Sequence, residues 1–213
     1  MKFYDLLAKN HLSNNEKEEY NYLNKLDSQE FFNEIRKVKG KKVLEIGSGT
    51  GRITEKIINE HPSALVSVEF SSKTAKILSN KFPKLILLKS LSQVKDKFDF
   101  IIFAHTLIHV KEKSKVFEKL ASLLCPGGKI VLSELFQEKP LYVLDKSGNK
   151  VFQEIYPINV NEIKLLVKDK GFLITKEEIV KVDSNKIPPF EKSEIGKNLT
   201  WFLILERNNK SMK

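Results

Sequence analysis

Short apolar runs recur along the chain, and they alternate with stretches in which apolar residues return every three or four positions. The short runs predict buried strands at 43–46, 64–70, 85–88, 98–104 and 129–134. The stretches between them predict amphipathic helices at 52–60, 72–82, 111–124 and 160–170. Near the end, strand segments are predicted at 171–174, 179–182 and 199–206. This alternation predicts an α/β fold with a doubly wound, mostly parallel sheet and helices on both faces.

Three parts of the chain fall outside the alternation. Residues 1–40 are predicted to be helical, with one amphipathic helix from about 15 to 38. Residues 135–160 hold two strand-like segments around a Ser-Gly-Asn turn, which predicts a β-hairpin. Residues 208–213 predict a loose tail. We therefore expect three units, namely an N-terminal helical segment at 1–40, a main domain at 41–207 that carries the insertion 135–160, and the tail 208–213.

The composition is that of a globular protein. The chain has 213 residues, of which 41% are hydrophobic and 30% charged, values that suit one domain with a sizeable core. Its single cysteine, Cys125, excludes an internal disulfide and a cysteine-based zinc cluster. No apolar run approaches the roughly 20 residues of a membrane span, and charges fall inside any possible apolar region of the first ten residues, so no signal peptide is evident. We expect a cytoplasmic protein without a membrane partner.

The net charge of +10 comes from lysines that are spread along the chain. Only three of the 37 basic residues, Arg36, Arg52 and Arg207, are arginines. Proteins that bind nucleic acids usually cluster their charge on one face and use arginine for bases and phosphates. The pattern therefore favours a solvated lysine-rich surface over a nucleic-acid interface.

Candidate chemistry is concentrated after the first predicted strand, where the sequence is Glu45-Ile-Gly-Ser-Gly-Thr-Gly51. Glycines so closely spaced let the backbone bend sharply and lie against a ligand. A dinucleotide site needs Gly-x-Gly-x-x-Gly, but Arg52 stands where its third glycine would be, and the Gly-Lys-Ser/Thr of a P-loop is absent from the sequence. About twenty residues later the second strand ends in Glu69, whose carboxylate can accept hydrogen bonds from the ribose hydroxyls of an adenosine. A purely structural strand-to-helix turn is the alternative.

These motifs are joined by Asp99 at the start of the fourth strand, by His109-Val110 after it, and by Pro126-Gly-Gly128 before the fifth. The set resembles the class I S-adenosylmethionine methyltransferases, by motif over about residues 40–135 and by architecture over the remainder. The resemblance implies a seven-stranded sheet whose last strand is antiparallel. It also implies S-adenosylmethionine as methyl donor, S-adenosylhomocysteine as product and an in-line displacement without a metal. The helical segment 1–40 would be a lid over the cofactor pocket, and the insertion 135–160 would shape the substrate pocket.

The resemblance also suggests which side chains bind the cofactor. Glu45 would hold its amino-acid end, Glu69 its ribose, and Phe70 would pack on the adenine. The family often has an aspartate after the third strand for the adenine amino group, whereas this chain has Ser90 there, which could replace it. The candidate cofactor-binding residues are Glu45, Gly47, Ser48, Gly49, Gly51, Glu69, Phe70, Ser90, Leu91 and Ala104.

A methyl acceptor often has to lose a proton, and a histidine suits that role at neutral pH. His105 and His109 lie in the loop after the fourth strand, and Glu134 ends the fifth, so these three are the candidate catalytic residues. Of the three we expect His105 to face the pocket, whereas His109 could equally be structural. The candidates for substrate contact are Tyr22, Tyr142 and Tyr156.

Motifs that the sequence lacks narrow the range of possible substrates. Enzymes that methylate base amines often carry Asn/Asp-Pro-Pro-Tyr after the fourth strand, where this chain reads Ala104-His-Thr-Leu107. Cys125 is badly placed to be the nucleophile of a cytosine-C5 enzyme. The sequence predicts methyl transfer to an O or N acceptor of a small metabolite by a monomer or homodimer. RNA or protein methylation, a non-catalytic cofactor-binding domain and a nicotinamide-dependent oxidoreductase are the alternatives.

Overall fold

The computed structural model describes residues 3, 4, 6, 16–183 and 197–208, and for residues 16–19 and 22 it describes the backbone alone. Most of the expected tail 208–213 lies outside these ranges. Nowhere in the described ranges does a helix combine the length and the apolar character that crossing a bilayer requires.

The strands follow the predicted pattern closely. They are β1 (Lys42–Ile46), β2 (Ala64–Val68), β3 (Ile86–Leu88), β4 (Phe98–Ala104), β5 (Leu124–Leu135), β6 (Tyr142–Leu144), β7 (Lys150–Phe152), β8 (Phe172–Lys181) and β9 (Asn198–Arg207). Seven of them form one sheet in the order β3–β2–β1–β4–β5–β9–β8, and β6 pairs with β7 as a separate hairpin. Strands β1 to β5 are parallel, and β9 runs antiparallel to both of its neighbours. The predicted seven-stranded sheet with an antiparallel last strand is confirmed.

Helices cover both faces of this sheet. Those with defined bounds are α1 (Glu16–Leu26), α2 (Gln29–Ile35), α3 (Arg52–Asn59), α4 (Ser72–Lys81), α5 (Lys113–Leu123) and α6 (Val160–Asp169). Side chains of β4 alternate between the faces, as strand geometry requires. Phe100 and Ile102 pack in one buried cluster with residues of α2 and α3. Ile101 and Phe103 pack in another with residues of α5 and α6.

The single helix predicted from about 15 to 38 is wrong. The chain forms α1 and α2, and Asp27 and Ser28 separate them. Ser28 is the N-cap of α2, because its side chain accepts a hydrogen bond from the Phe31 N–H at 3.1 Å. The break turns Asp27 towards the interior, where its side chain is fully buried.

Several strand boundaries also differ from the prediction. Strand β5 begins at Leu124, ahead of Pro126-Gly-Gly128, because Leu124 already pairs with Phe98 of β4. Strand β8 is continuous where two segments were predicted, with register shifts against β9 instead of a gap. Strand β3 is one residue shorter than predicted, and β2 ends at Val68, two residues early, so Glu69 follows the strand.

The hairpin predicted inside 135–160 is confirmed. Strands β6 and β7 pair antiparallel, and Asp145 closes the turn by accepting hydrogen bonds from the N–H groups of Ser147 and Asn149. Val151 and Phe152 of β7 reach the cavity described below. The insertion thus lies beside the carboxyl ends of the parallel strands.

Candidate active site

A cavity of about 660 Å³ lies at the carboxyl ends of β1, β2 and β4. Open α/β sheets bind ligands at this edge, and the volume lies within the roughly 300–1,000 Å³ that is usual for small-molecule sites. Its wall combines the glycine loop after β1, the residues after β2 and β4, the N-terminal helical residues and the β6–β7 hairpin. Tyr20 of α1 ties the N-terminal helices to the glycine loop, since its hydroxyl donates to Thr50 Oγ1 at 2.9 Å.

The glycine loop needs glycine at Gly47 and leaves open space at Gly49. Gly47 has φ +74°, and a Cβ there would lie 2.2 Å from Oγ1 of Thr106 in the loop after β4. Gly49 has φ +57°, and a Cβ there would meet nothing within 4 Å. The loop therefore packs tightly against the β4 side and presents bare backbone to the cavity. Gly51 then caps the N-terminus of α3 without any side-chain hydrogen bond.

Glu69 directly follows β2 and lies against this glycine loop. Its Oε2 accepts a hydrogen bond from the Gly49 N–H and its Oε1 from the Ser71 N–H, each at 2.8 Å. Burial raises the pKa of Glu69. The Phe70 N–H is a third backbone donor to this carboxylate, so one of its four acceptor positions remains for a ligand hydroxyl. The neighbouring Phe70 lines the cavity and is 45% exposed, an apolar ring available to a planar group.

Glu45 is buried at the base of the cavity. Its Oε2 accepts hydrogen bonds from Thr54 Oγ1 at 2.7 Å and from Ser67 Oγ at 2.9 Å. Burial raises the pKa of Glu45 to about 7. A cationic ligand group nearby would favour the ionised carboxylate, which suits the side chain to an ammonium.

His105 belongs to a buried charged cluster centred on Asp27. Its Nε2 donates to Asp27 Oδ1 at 3.0 Å, Arg52 Nη1 donates to Asp27 Oδ2 at 2.6 Å, and the Ser133 hydroxyl donates to Oδ1. Burial raises the pKa of Asp27, but the charges of His105 and Arg52 outweigh it and hold this pKa below its ordinary value. His105 has φ +53°, which is uncommon for a residue other than glycine. As expected, His105 lines the cavity, although one ring nitrogen is engaged by Asp27.

His109 lines the cavity as well and forms a second polar cluster. Its Nδ1 donates to the Glu154 carbonyl at 3.0 Å, and its Nε2 lies 2.6 Å from the Tyr4 hydroxyl. The side-chain amide of Gln153 donates to the same hydroxyl at 2.8 Å. Burial lowers the pKa of His109, which favours the neutral imidazole. The N-terminal segment, the loop after β4 and the hairpin meet at this cluster.

Some of the remaining residues predicted for the site line the cavity and others do not. Ala104, Ser48 and Gly47 line the cavity, whereas Ser90, Leu91, Glu134, Tyr142 and Tyr156 are not among its lining residues. Leu91 borders a separate open hollow beside α5. Glu134 is buried below the loop after β4, and its Oε2 accepts a hydrogen bond from the Ile108 N–H. The Tyr22 side chain lies outside the described residues.

Sequence reasoning missed Asp27, Arg52 and Gln153, and it did not choose Tyr4 among the tyrosines that could reach a substrate. Ser28 in front of Gln-Glu-Phe is an N-cap signal that would have revealed the helix break at Asp27. Within the ranges that the structure describes, no group of three or more His, Cys, Asp or Glu side chains is arranged to hold a metal ion.

The sheet order and the glycine loop beneath a ligand-sized cavity define a doubly wound α/β domain of the nucleotide-binding kind. A family model described as a methyltransferase domain matches residues 17–177, which include α1 to α6 and β1 to β7. The chain belongs to this methyltransferase family.

Among curated proteins, the chain is similar to malonyl-[acyl-carrier protein] O-methyltransferase 2 of Ilyobacter polytropus, with 28% identity over 165 residues. It is also similar to the ubiquinone biosynthesis O-methyltransferase of Coxiella burnetii strain RSA 331, with 22% identity over 139 residues. These alignments cover 71% and 62% of this chain and, in both cases, 59% of the relative. The chain thus spans less than two thirds of the length of these relatives.

Two solved structures share the fold. The CcbJ methyltransferase of Streptomyces caelestis aligns with a TM-score of 0.67 at 15% identity, over 96% of this chain and 98% of that one. Magnesium protoporphyrin IX methyltransferase of Synechocystis PCC 6803 with bound S-adenosylmethionine aligns with a TM-score of 0.58 at 18% identity, over 84% of this chain and 75% of that one.

Proposed function

We propose that the protein transfers a methyl group from S-adenosylmethionine to an oxygen atom of a small molecule. The observation that carries the proposal is the Glu69 carboxylate, which lies against the bare backbone of Gly49 in the cavity wall of a methyltransferase-family domain. The names of the curated relatives, both O-methyltransferases, support oxygen over nitrogen as the acceptor atom.

The carboxylates and the aromatic ring in the cavity wall suit this cofactor. Glu69 retains an acceptor position for a ribose hydroxyl, and Phe70 offers a half-exposed ring to the adenine. Glu45 would hold the α-ammonium of the methionine end, which would favour its ionised form. The bound cofactor supplies a methyl group on a sulfonium, which is electrophilic. The chain supplies binding and alignment, and positioning alone can contribute roughly 7–11 kcal/mol to such a transfer.

An acceptor hydroxyl would have to release its proton, and we infer that His109 and Tyr4 together receive it. His109 Nε2 is the acceptor nitrogen of this neutral imidazole, because Nδ1 donates to a carbonyl that can only accept. The Tyr4 hydroxyl already donates to Nε2, so a proton can pass from the acceptor through Tyr4 to His109. We assign this role to His109 and Tyr4 in preference to His105, whose Nε2 is occupied by Asp27. Glu134 would support the loop that carries His109.

The first test is calorimetric titration with S-adenosylmethionine, with S-adenosylhomocysteine and with NADH. We expect micromolar binding of both adenosyl ligands and none of NADH. Titration is followed by an assay of S-adenosylhomocysteine release with small phenols and hydroxy acids as acceptors. NADH binding without adenosyl-ligand binding would overturn the proposal. Labelled methyl transfer into RNA or protein, but into none of the small acceptors, would overturn the small-molecule assignment.

A further inference from the structure

The β6–β7 hairpin presents one apolar face to solvent. Cross-strand partners of an antiparallel pair lie on the same face, as do residues two apart in one strand. Tyr142 and Phe152 are such partners, and Leu144 follows Tyr142 by two positions. These three side chains, which we call the outer hairpin face, are 50%, 56% and 56% exposed in the order Tyr142, Leu144 and Phe152. Apolar side chains that are exposed side by side, unlike scattered ones, mark a binding surface.

The outer hairpin face is continuous with the cavity. Phe152 belongs to this face and also lines the cavity, and its ring lies 5.7 Å from the ring of Tyr142. Leu141, which precedes β6 and is also exposed, accepts a hydrogen bond from the Gln153 N–H at this same end of the hairpin. The other end is the polar turn of residues 145–149. The apolar surface therefore begins at the cavity and ends before the tip of the hairpin.

The size and the tip of the hairpin argue against a second protein or a membrane as the occupant of this face. Each strand has three residues and is thus about 10 Å long, whereas a stable protein interface buries roughly 800 Å² on each partner. A hairpin that entered a bilayer would lead with its tip, where Asp145 and Lys146 carry charges that are costly to bury. An apolar group that extends out of the cavity meets neither obstacle.

The charges in the cavity wall favour an uncharged acceptor. Among the described residues that line the cavity, Arg52 is the one lysine or arginine, and it already pairs with Asp27. Glu45, Glu69 and Glu154 belong to the same wall. An acceptor with a carboxylate would therefore meet more negative than positive charge inside the cavity.

We propose that the methyl acceptor is an uncharged phenol or alcohol with an extended apolar substituent, and that this substituent leaves the cavity beside Phe152 and lies on the outer hairpin face. The inference rests on the proposed function and names the substrate class of the same site. Phe3 and Val151 supply apolar wall inside the cavity, and Tyr142 and Leu144 continue it outside. Tyr142 would then contact the substrate, as the sequence predicts, but from outside the cavity.

A series of para-alkylphenols, from para-methyl to para-pentyl, tests this inference. The value of kcat/KM would be measured for each phenol from the release of S-adenosylhomocysteine, with the wild-type protein, Leu144→Ser and Tyr142→Ser. A fully buried methylene is worth about fourfold in binding, and one that is covered on one side only about twofold. para-Hydroxyphenylpropanoate, which has a carboxylate where para-propylphenol has a methyl group, tests the preference for an uncharged substituent.

We expect kcat/KM of the wild-type protein to rise roughly tenfold or more from para-methylphenol to para-pentylphenol, and to be much lower for the propanoate than for para-propylphenol. Leu144→Ser and Tyr142→Ser should each lower the pentyl-to-methyl ratio by about three- to fivefold, because they remove apolar surface under the alkyl chain. The matched control is Leu165→Ser, since Leu165 is a 69% exposed leucine on α6 that does not line the cavity. This control should keep the wild-type ratio.

A wild-type protein that methylates all the phenols equally well, or the propanoate as well as para-propylphenol, would overturn the inference. So would an unchanged pentyl-to-methyl ratio in both hairpin variants. Sedimentation with and without phosphatidylcholine vesicles identifies the other occupants, because a dimer or a vesicle complex that Leu144→Ser releases would assign the outer hairpin face to a second copy or to a membrane. If the protein methylates none of these phenols and binds no S-adenosylmethionine, the proposed function itself fails, and this result is distinct from the others.

Discussion

At the scale of single residues, the hydrogen bonds around His109 determine which ring nitrogen carries the proton. The Glu154 carbonyl can only accept, so Nδ1 must be protonated, and Nε2 of the neutral ring must accept from the Tyr4 hydroxyl. Gln153 is oriented by its own contacts, because its Oε1 accepts from the Gln137 side chain and its amide then faces Tyr4. The tautomer of His109 therefore follows from its contacts with the Glu154 carbonyl and the Tyr4 hydroxyl, both of which lie far from it in sequence.

We expect the imidazole of His109 to titrate below the ordinary histidine pKa of about 6.5, because burial disfavours its charged form. In the neutral ring, ¹⁵N NMR should show Nδ1 protonated and Nε2 unprotonated. Tyr4→Phe removes the closer of two donors to Nε2 and leaves the Gln153 amide at 3.4 Å, so the Nε2 resonance should move towards that of an acceptor with a weaker hydrogen bond. Tyr142→Phe, which removes an exposed hydroxyl on β6, should leave the resonance in place. A protonated Nε2 in the neutral wild-type ring would contradict the assignment.

At the scale of elements, the glycine loop is defined by contacts with the loop after β4 as much as by backbone freedom. Gly47 and Gly40 share a left-handed φ, +74° and +68°, but a Cβ would strike Thr106 only at Gly47. The two positions therefore separate the cost of the backbone conformation from the cost of the steric contact.

Urea unfolding of Gly47→Ala and Gly40→Ala measures these two costs. We expect Gly40→Ala to lower the free energy of unfolding by about 1–2 kcal/mol, the penalty for a side chain in left-handed backbone. Gly47→Ala should lose about 1–3 kcal/mol more through overpacking against Thr106, and it should also weaken S-adenosylhomocysteine binding. Equal losses in the two variants would show that Thr106 moves aside without cost.

The elements that the sequence predicted well are those whose signal is local. Strand, glycine loop, helix and a later acidic residue follow one another within residues 42–69, so one short stretch of sequence is enough to recognise them. The role of Asp27 is not local, because its partners Arg52, His105 and Ser133 lie 25, 78 and 106 residues away. The helix break was missed because apolar residues on both sides of it keep helical spacing. Tyr4 and Gln153, 149 residues apart, meet only once the hairpin packs beside the N-terminal segment.

At the scale of the whole molecule, the sheet carries two buried carboxyl groups, Glu45 on β1 and Glu134 on β5. They are 3% and 1% exposed, and burial raises the pKa of each to about 7. Both carboxyl groups therefore keep their protons to higher pH in the native state than in the unfolded chain, so folding stability depends on pH through them.

We expect Glu134→Gln to reduce the pH dependence of folding stability between about pH 5 and 7.5. The native Glu134 carboxyl keeps its proton until pH rises through about 7, whereas the unfolded carboxyl loses it near 4.5. The native state therefore binds more protons in this window, and the contribution of Glu134 to the free energy of unfolding falls as pH rises. Burial lowers the pKa of His109, so the contribution of His109 to the free energy of unfolding rises with pH. The quantity to compare is therefore the difference in the free energy of urea unfolding between the wild type and the variant across this pH window. Glu118→Gln, exposed on α5, should keep the wild-type slope, and an unchanged slope in Glu134→Gln would show that Glu134 is already ionised in the native protein.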